Sequence, residues 1–260
     1  MGKKATDYTL QELNLVEIAR EVNDGDIVII GTGMPLLGVM LAQKTHAPNV
    51  FAITEAGPIG VNPAYLPFSV ADPVFTMGAT MVGGLTESLG LVHAGRVDLG
   101  FLGGAQIDKF GNLNTSFIGV DYNHPVSRLP GSGGANDIAS CCKKTIISMA
   151  AHRKDKFVGK LDFNTTPGYL TGGDARKKIG YPGEGPLKVI SPLGVFRFDE
   201  VTKEMYIDSY FPGVTIEQIK ENTGWDIKVG KDCKETEAPT EEQVKVLRAL
   251  DPAGVFLKKG

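Results

Sequence analysis

Ile27-Val28-Ile29-Ile30, a helical stretch from Leu36 to about Lys44, and Val50-Phe51-Ala52-Ile53 follow one another in the first fifth of the chain. Their reading decides the fold. A strand with no polar position is buried on both faces, and apolar strands alternating with helices mark a parallel sheet covered on both sides. Pro35 suits the first turn of the intervening helix, where its missing N–H costs nothing. Upstream, Thr9-Leu10-Gln11-Glu12 reads as a capping box, with Leu13, Val16, Ala19 and Val22 giving that helix one apolar stripe and Asn23-Asp24-Gly25 ending it.

The alternation continues with a helix from Leu85 to His93 and a strand from Val97 to Leu102. A turn at Asp108-Lys109-Phe110-Gly111-Asn112 returns the chain through Leu113 to Gly119. A helix from Asn136 to Lys143 and a strand from Thr145 to Met149 follow. Beyond Phe157 the character becomes β-rich, with hairpin-like strands at Lys188 to Ile190, Gly194 to Phe198 and Glu204 to Tyr210. Two capped helices then begin at Thr215 and Thr240, each with Gln three residues on, and Gly224 is a candidate stop for the first. No linker or low-complexity segment divides the chain, so residues 1–260 read as one α/β domain: an open, mostly parallel sheet with helices on both faces and a β-rich C-terminal third.

Bulk composition excludes several classes. A chain of 260 residues with 42% hydrophobic and 22% charged side chains supports a full core. A net charge of −3 without a basic patch argues against nucleic acid or an anionic membrane as partner, and Lys143-Lys144 and Lys258-Lys259 are too short to count. No run approaches the ~20 apolar residues that span a bilayer, and the first residues lead into a polar segment. Three cysteines, two of them adjacent at Cys141-Cys142, suit reduced thiols in a cytoplasmic protein better than disulfides or a metal site.

Three segments carry candidate chemistry. Thr54-Glu55-Ala56-Gly57 places a carboxylate where an apolar strand ends, and open α/β sheets bind ligands beyond such ends. Gly131-Ser132-Gly133-Gly134-Ala135-Asn136-Asp137 precedes a helix, and successive N–H groups of such a run can cradle an anion. Gly103-Gly104-Ala105-Gln106-Ile107-Asp108 adds a side-chain amide that bonds in both directions. The three are expected to serve one site. Glu87 is the rival carboxylate, with helix capping as its ordinary role. Gly31-Thr32-Gly33 lacks the third glycine of a dinucleotide fingerprint, because Leu36 stands there, and reads as a tight turn without cofactor. His46, His93, His124 and His152 are isolated.

These residues resemble the class I coenzyme A transferases, and among them the beta subunit of glutaconate CoA-transferase. Glu55-Ala56-Gly57 is similar to that family's Glu-x-Gly nucleophile motif. Gly103 to Asp108 with Gly111-Asn112 matches its glycine-rich Gln-Val/Ile-Asp segment, and Gly131 to Asp137 its Gly-x-Gly-Gly-Ala loop. Glu221-Asn222-Thr223-Gly224-Trp225 and Asp251-Pro252 also look like the beta subunit. The resemblance spans nearly the whole chain. It implies a catalytic beta-type domain over 1–260, paired with an alpha-type subunit in a hetero-oligomer whose active site lies where the two meet. It further implies Glu55 as nucleophile, Gly133, Gly134 and Ala135 as oxyanion or CoA contacts, and Gly103, Gly104 and Gln106 as substrate contacts. Coenzyme A would be a co-substrate, with no permanently bound cofactor and no metal. Relatives often carry Ser-Glu-Asn-Gly or Glu-Ser-Gly at the nucleophile, where this chain has Thr54 and Ala56. An ester hydrolase or lyase of the same family, and a non-catalytic sensor of the wider fold, are the alternative readings.

Overall fold

The computed structural model describes residues 2–31 and 33–257. Thr32, and with it the centre of the Gly31–Gly33 turn, lies outside the described residues, as do Met1 and Lys258-Lys259. In chain order the elements begin α1 (Leu10–Ala19), β1 (Ile27–Ile30), α2 (Met34–Lys44), β2 (Phe51–Thr54), β3 (Pro58–Val61), β4 (Met81–Val82), α3 (Leu85–His93) and β5 (Leu99–Leu102). Short strands β6 (Gln106–Ile107), β7 (Leu113–Asn114), β8 (Phe117–Ile118) and β9 (Ser127–Arg128) precede α4 (Ala135–Cys141). Next come β10 (Lys144–Ser148), α5 (Ala175–Ile179), β11 (Pro186–Ser191), β12 (Gly194–Phe198) and β13 (Met205–Tyr210). The chain closes with α6 (Ile216–Glu221), β14 (Lys228–Glu235) and α7 (Glu241–Leu250). Met1–Phe101 with Glu237–Gly260 form one compact unit and Leu102–Thr236 a second.

In the first unit β1 runs parallel to β2, from Ile27 opposite Phe51 to Ile30 opposite Thr54, and parallel to β5. Apart from Ile27 and Phe51 at their starts, the residues of β1 and β2 are buried on both faces, as the sequence predicts. α2 makes the crossover that a parallel pair requires; Pro35 sits in its first turn and Gly33, at φ +92°, caps it. α1 packs against α2 at Gly38, where a Cβ would lie 2.8 Å from Ile18 Cβ. The expected single apolar stripe on α1 is not what the structure has. The helix is covered by α2 and α7, and even Glu12, Asn14 and Glu17 are buried. Glu12 is tolerated there because it accepts from Thr9 N–H at 2.8 Å and from Arg248 Nε of α7 at 2.7 Å. The capping boxes at Thr9, Thr215 and Thr240 all form.

In the second unit β10 and β11 are parallel, β11–β12 and β12–β13 are antiparallel, and β14 runs parallel to β13. The α/β class and the β-rich C-terminal third thus stand as predicted. β14 was not expected, because Lys228-Val229-Gly230-Lys231-Asp232-Cys233-Lys234-Glu235 has neither apolar face. Gly224 is no left-handed helix stop; a Cβ on it would lie 2.6 Å from Phe157 O, so the position requires a glycine for close approach.

That approach builds a buried aromatic stack. His152 lies flat on Phe157, with ring centroids 3.6 Å apart, and Trp225 stacks over Phe157 at 6.1 Å. The imidazole proton can be placed by counting hydrogens. Thr223 donates its hydroxyl to Ile219 O at 2.8 Å, so at 3.1 Å it accepts from His152 Nε2–H. Nδ1 then accepts from Ser191 Oγ at 2.8 Å, and the ring is neutral. Burial pushes its pKa down to about 3 from 6.5.

Between those values the unfolded chain binds one proton more than the folded chain, so stability rises with pH by ~1.4 kcal/mol per unit and is lost as pH falls. Urea unfolding between pH 6.5 and 4.5 is expected to show about 2–3 kcal/mol more acid destabilisation in the wild type than in His152→Gln. Equal pH slopes in the two proteins would show that His152 is not held neutral.

Candidate active site

Glu55 sits in the turn Glu55-Ala56-Gly57 between β2 and β3, which pair antiparallel with Ala52 opposite Val61. The expected strand end is the tip of a hairpin. Three contacts fix the turn. Gly57 N–H donates to Thr54 O at 3.2 Å, closing the turn. Gly57 has φ +118°, and a Cβ there would lie 2.8 Å from Gly84 Cα, so the turn and the Gly83-Gly84 segment meet backbone to backbone. Gly83 N–H seals that contact by donating to Gly57 O at 3.1 Å.

The third contact comes from Ser88, a fully buried residue of α3. Its hydroxyl is 2.8 Å from Glu55 O, against 3.2 Å from Leu85 O and 3.4 Å from Gly84 O. A hydroxyl has one hydrogen, and the shortest approach takes it. Thr54, also fully buried, donates to Pro58 O across the hairpin at 3.2 Å. Thr54 therefore ties the turn together. Ala56 adds no side-chain bond, and the Glu55 side chain is half-buried.

Glu87 has a different occupation. Its Oε2 accepts from Gly84 N–H at 2.7 Å at the start of α3. That bond, and a further backbone N–H, hold its carboxyl below the usual range. It is a helix cap, half of a reciprocal box whose other half glycine cannot supply.

The two glycine-rich segments lie in the second unit and are joined by a polar network. Thr115 O accepts from Gly131 N–H at 2.8 Å, Thr115 N–H donates to Thr165 Oγ1 at 2.9 Å, and Asn136 Nδ2 donates to Thr165 O at 3.0 Å. Within the glycine loop, Ser132 O accepts from Ala135 N–H at 2.9 Å and Ser132 Oγ from Asn136 N–H at 3.2 Å. The donor role expected of Ala135 competes with that bond. Gly134 is buried at the N-cap of α4, and Gly133, at φ +50°, is exposed.

Gly103 is exposed and Gly104 half-buried. Gln106 is buried with both its amide oxygen and its amide nitrogen engaged. Oε1 accepts from Asn114 Nδ2 at 2.9 Å and Asp162 N–H at 3.1 Å, while Nε2 donates to Asp162 Oδ2 at 3.2 Å. These bonds make Gln106 a brace of the loop rather than an open donor. Asp108 forms the expected turn, accepting from Phe110 N–H at 2.9 Å and Asn112 N–H at 3.0 Å, with Gly111 at φ +72°. Burial raises the Asp108 pKa.

Sequence reading missed Ser88, the Asp162–Thr165 segment and Arg176. Arg176 is buried and has backbone carbonyls for partners: Ala139 at 2.7 Å and Ser140 at 3.1 Å near the end of α4, Gly183 at 2.8 Å and Gly168 at 3.0 Å. A guanidinium satisfies helix-terminal acceptors and complements the dipole there, so it fixes α4 and with it the glycine loop. No short motif announces such a partner. Thiol chemistry has no support: burial pushes Cys142 up to about 12 and raises Cys141 and Cys233 as well. Among the described residues no group of three His, Cys, Asp or Glu side chains could hold a metal, and no helix is long and apolar enough to cross a membrane.

The chain is similar to known proteins over nearly its whole length. The Coenzyme A transferase family profile matches residues 14–222. The chain is 43% identical over 246 residues to the B-type subunit of 3-oxoadipate CoA-transferase from Pseudomonas knackmussii, covering 94% of each. It is 39% identical over 260 residues to the B-type subunit of glutaconate CoA-transferase from Acidaminococcus fermentans, covering 97% of this chain and 96% of that one. The crystal structure of glutaconate coenzyme A-transferase from Acidaminococcus fermentans superposes with a TM-score of 0.91 at 38% identity, over 98% of this chain and 99% of that chain. A pinned hairpin glutamate, a braced glycine loop and likeness of this extent along the whole chain lead to one conclusion: the chain belongs to the coenzyme A transferase family.

Proposed function

We propose that residues 1–260 act as the catalytic, beta-type half of a heteromeric acyl-CoA:carboxylate CoA-transferase, with Glu55 as the nucleophile and an alpha-type subunit as partner. The observation that carries this reading is the pinned turn: the one carboxylate in the family's motif position has its carbonyl held by Ser88, in a turn closed by the Gly57 bond to Thr54 and the Gly83 bond to Gly57. The relatives named as B-type subunits support a two-subunit enzyme, and their 3-oxoadipate and glutaconate substrates support a dicarboxylic or short acyl group. A cytoplasmic setting is part of the same reading.

The chemistry begins with Glu55 attacking the acyl-CoA carbonyl. The C–S bond breaks, CoA thiolate leaves, and an acyl–glutamyl anhydride remains. The thiolate then attacks the glutamyl carbonyl and expels the donor carboxylate, giving a glutamyl–CoA thioester. An acceptor carboxylate attacks that thioester, releasing thiolate and forming a second anhydride. Thiolate attack on its acyl carbonyl gives the new acyl-CoA and regenerates Glu55. Each attack passes through an oxyanion that requires N–H donors. Gly133, Gly134 and Ala135 are the glycine-loop residues assigned to CoA contact, and the Ala135 N–H is shared with Ser132 O. Gly103 and Gly104 are kept as substrate contacts, and Gln106 as their support. Coenzyme A enters and leaves as co-substrate.

Glu55→Ala in the assembled enzyme is expected to lower kcat by a factor on the order of 10⁴ or more, as loss of a covalent nucleophile does, with the unfolding curve unchanged. Transfer at wild-type rate would reject Glu55 as nucleophile. Ser88→Ala removes the hydroxyl that holds the Glu55 carbonyl. It should cost about 1 kcal/mol of stability and lower kcat roughly tenfold, with KM for acyl-CoA unchanged. A rise in KM at constant kcat would show that Ser88 acts on substrate binding instead.

A further inference from the structure

The two-stranded ladder of β8 and β9 sets one arginine on an aromatic shelf. Arg128 stands opposite Phe117 in that ladder. Its guanidinium carbon lies 4.6 Å from the centroid of the Tyr122 ring and 5.8 Å from that of Phe117. Nη2 donates to Tyr122 O at 2.7 Å. The two rings meet edge to face with centroids 5.5 Å apart, and Phe163 joins Phe117 at 5.3 Å. Phe117 is buried, so the shelf is rooted in the interior, while Arg128 itself is exposed. A guanidinium held on a ring keeps its charge and its planar fork of donors but loses freedom of movement.

An exposed hairpin arginine ordinarily needs no ligand, and packing across the strands would be reason enough for it. Its partners and its place argue for more. Among the described residues no carboxylate pairs with Arg128. The carboxylates tied to this hairpin are engaged elsewhere: Asp121 accepts from Asn123 N–H and His124 Nδ1 at 2.9 Å each, and Asp162 from Gly119 N–H at 2.9 Å and Gln106 Nε2 at 3.2 Å. Asn114 Nδ2 donates to Gln106 Oε1 at 2.9 Å and to Phe117 O at 2.7 Å, which joins the strand opposite Arg128 to the 103–106 segment. On the other side Leu129 N–H donates to Ser116 O at 3.0 Å and Gly131 N–H to Thr115 O at 2.8 Å, so the strand carrying Arg128 runs on into the glycine loop. The fork is thus braced to the proposed acyl contacts and to the proposed CoA contacts, all within the second unit.

We infer that Arg128 binds the far carboxylate of a dicarboxylic acyl group, and so selects dicarboxylic over monocarboxylic acyl-CoA. This rests on the functional reading above and names the residue behind its substrate class. A dicarboxylic acid esterified at one end keeps a free carboxylate at the other. Taking that charge out of water is costly unless a cation with matching donors meets it. A guanidinium offers a carboxylate two parallel N–H bonds. A methyl end offers the guanidinium nothing and leaves those donors unsatisfied, which is what makes such a site discriminate.

The test is Arg128→Gln in the assembled enzyme, assayed with glutaryl-CoA and valeryl-CoA, whose acyl chains are equal in length and end in a carboxylate and a methyl group. For glutaryl-CoA, kcat/KM should fall roughly 10- to 100-fold, as loss of hydrogen bonds to a charged group does, while for valeryl-CoA it should hold or rise. Arg128→Lys should recover part of the loss, because the charge remains while the fork is gone. Binding of free CoA, followed by isothermal titration, should be unchanged in both variants, as should thermal unfolding, since the side chain is exposed. An equal loss on both acyl-CoAs would overturn the inference, and so would weakened binding of free CoA, which would assign Arg128 to a CoA phosphate instead. Unchanged kcat/KM for glutaryl-CoA, or a wild-type preference for valeryl-CoA, would overturn it with the transferase reading intact. Failure of that reading is separate: the wild-type pair would move CoA from neither donor.

Discussion

The hydroxyl of Ser88 on the carbonyl of Glu55 is the contact on which the proposed chemistry depends. A hairpin turn is ordinarily a mobile place for a nucleophile. Here α3 supplies a buried donor to the turn, Gly57 lets the turn touch Gly83-Gly84 backbone to backbone, and Thr54 bonds across its base. β2 in turn is held by its parallel ladder to β1, whose four residues are apolar and nearly all buried. Rigidity is carried from the core to the turn of the proposed nucleophile through main-chain contacts.

The second unit solves the same problem differently. Its glycine loops have little side-chain packing of their own, so polar side chains from distant segments hold them. Gln106, Asn114 and Asp162 form one closed set, Thr165 joins Thr115 to Asn136, and Arg176 gathers carbonyls from α4 and from Gly168. A satisfied buried network is rigid because removing one member leaves the others without partners. His152, Thr223 and Ser191 make a comparable set beneath Trp225, and they explain the Thr223-Gly224-Trp225 run as packing rather than catalysis.

What was legible in the sequence was local or strongly periodic. The boxes at Thr9, Thr215 and Thr240 are determined within four residues, and the apolar strands around Ile29 and Ile53 have no alternative to burial. The position of Glu55 just past β2 was legible because strand end and glycine turn lie side by side. The rest depended on distance along the chain. Ser88 is 33 residues from the carbonyl it holds, and Gln106 is 56 from Asp162. Periodicity does not reveal such pairs. β14 was hidden because a charged outer strand reads as a loop, and Gly224 read as a helix stop because its neighbour Phe157 is remote in sequence.

The central claim is that CoA is carried covalently on Glu55. Incubating the assembled enzyme with acyl-CoA and no acceptor, then reducing with borohydride, converts a glutamyl thioester to an alcohol and releases CoA. Peptide mass mapping should then place the change at Glu55 alone, with activity permanently lost. Label at Glu87, or no modified peptide after full loss of donor acyl-CoA, would contradict the account.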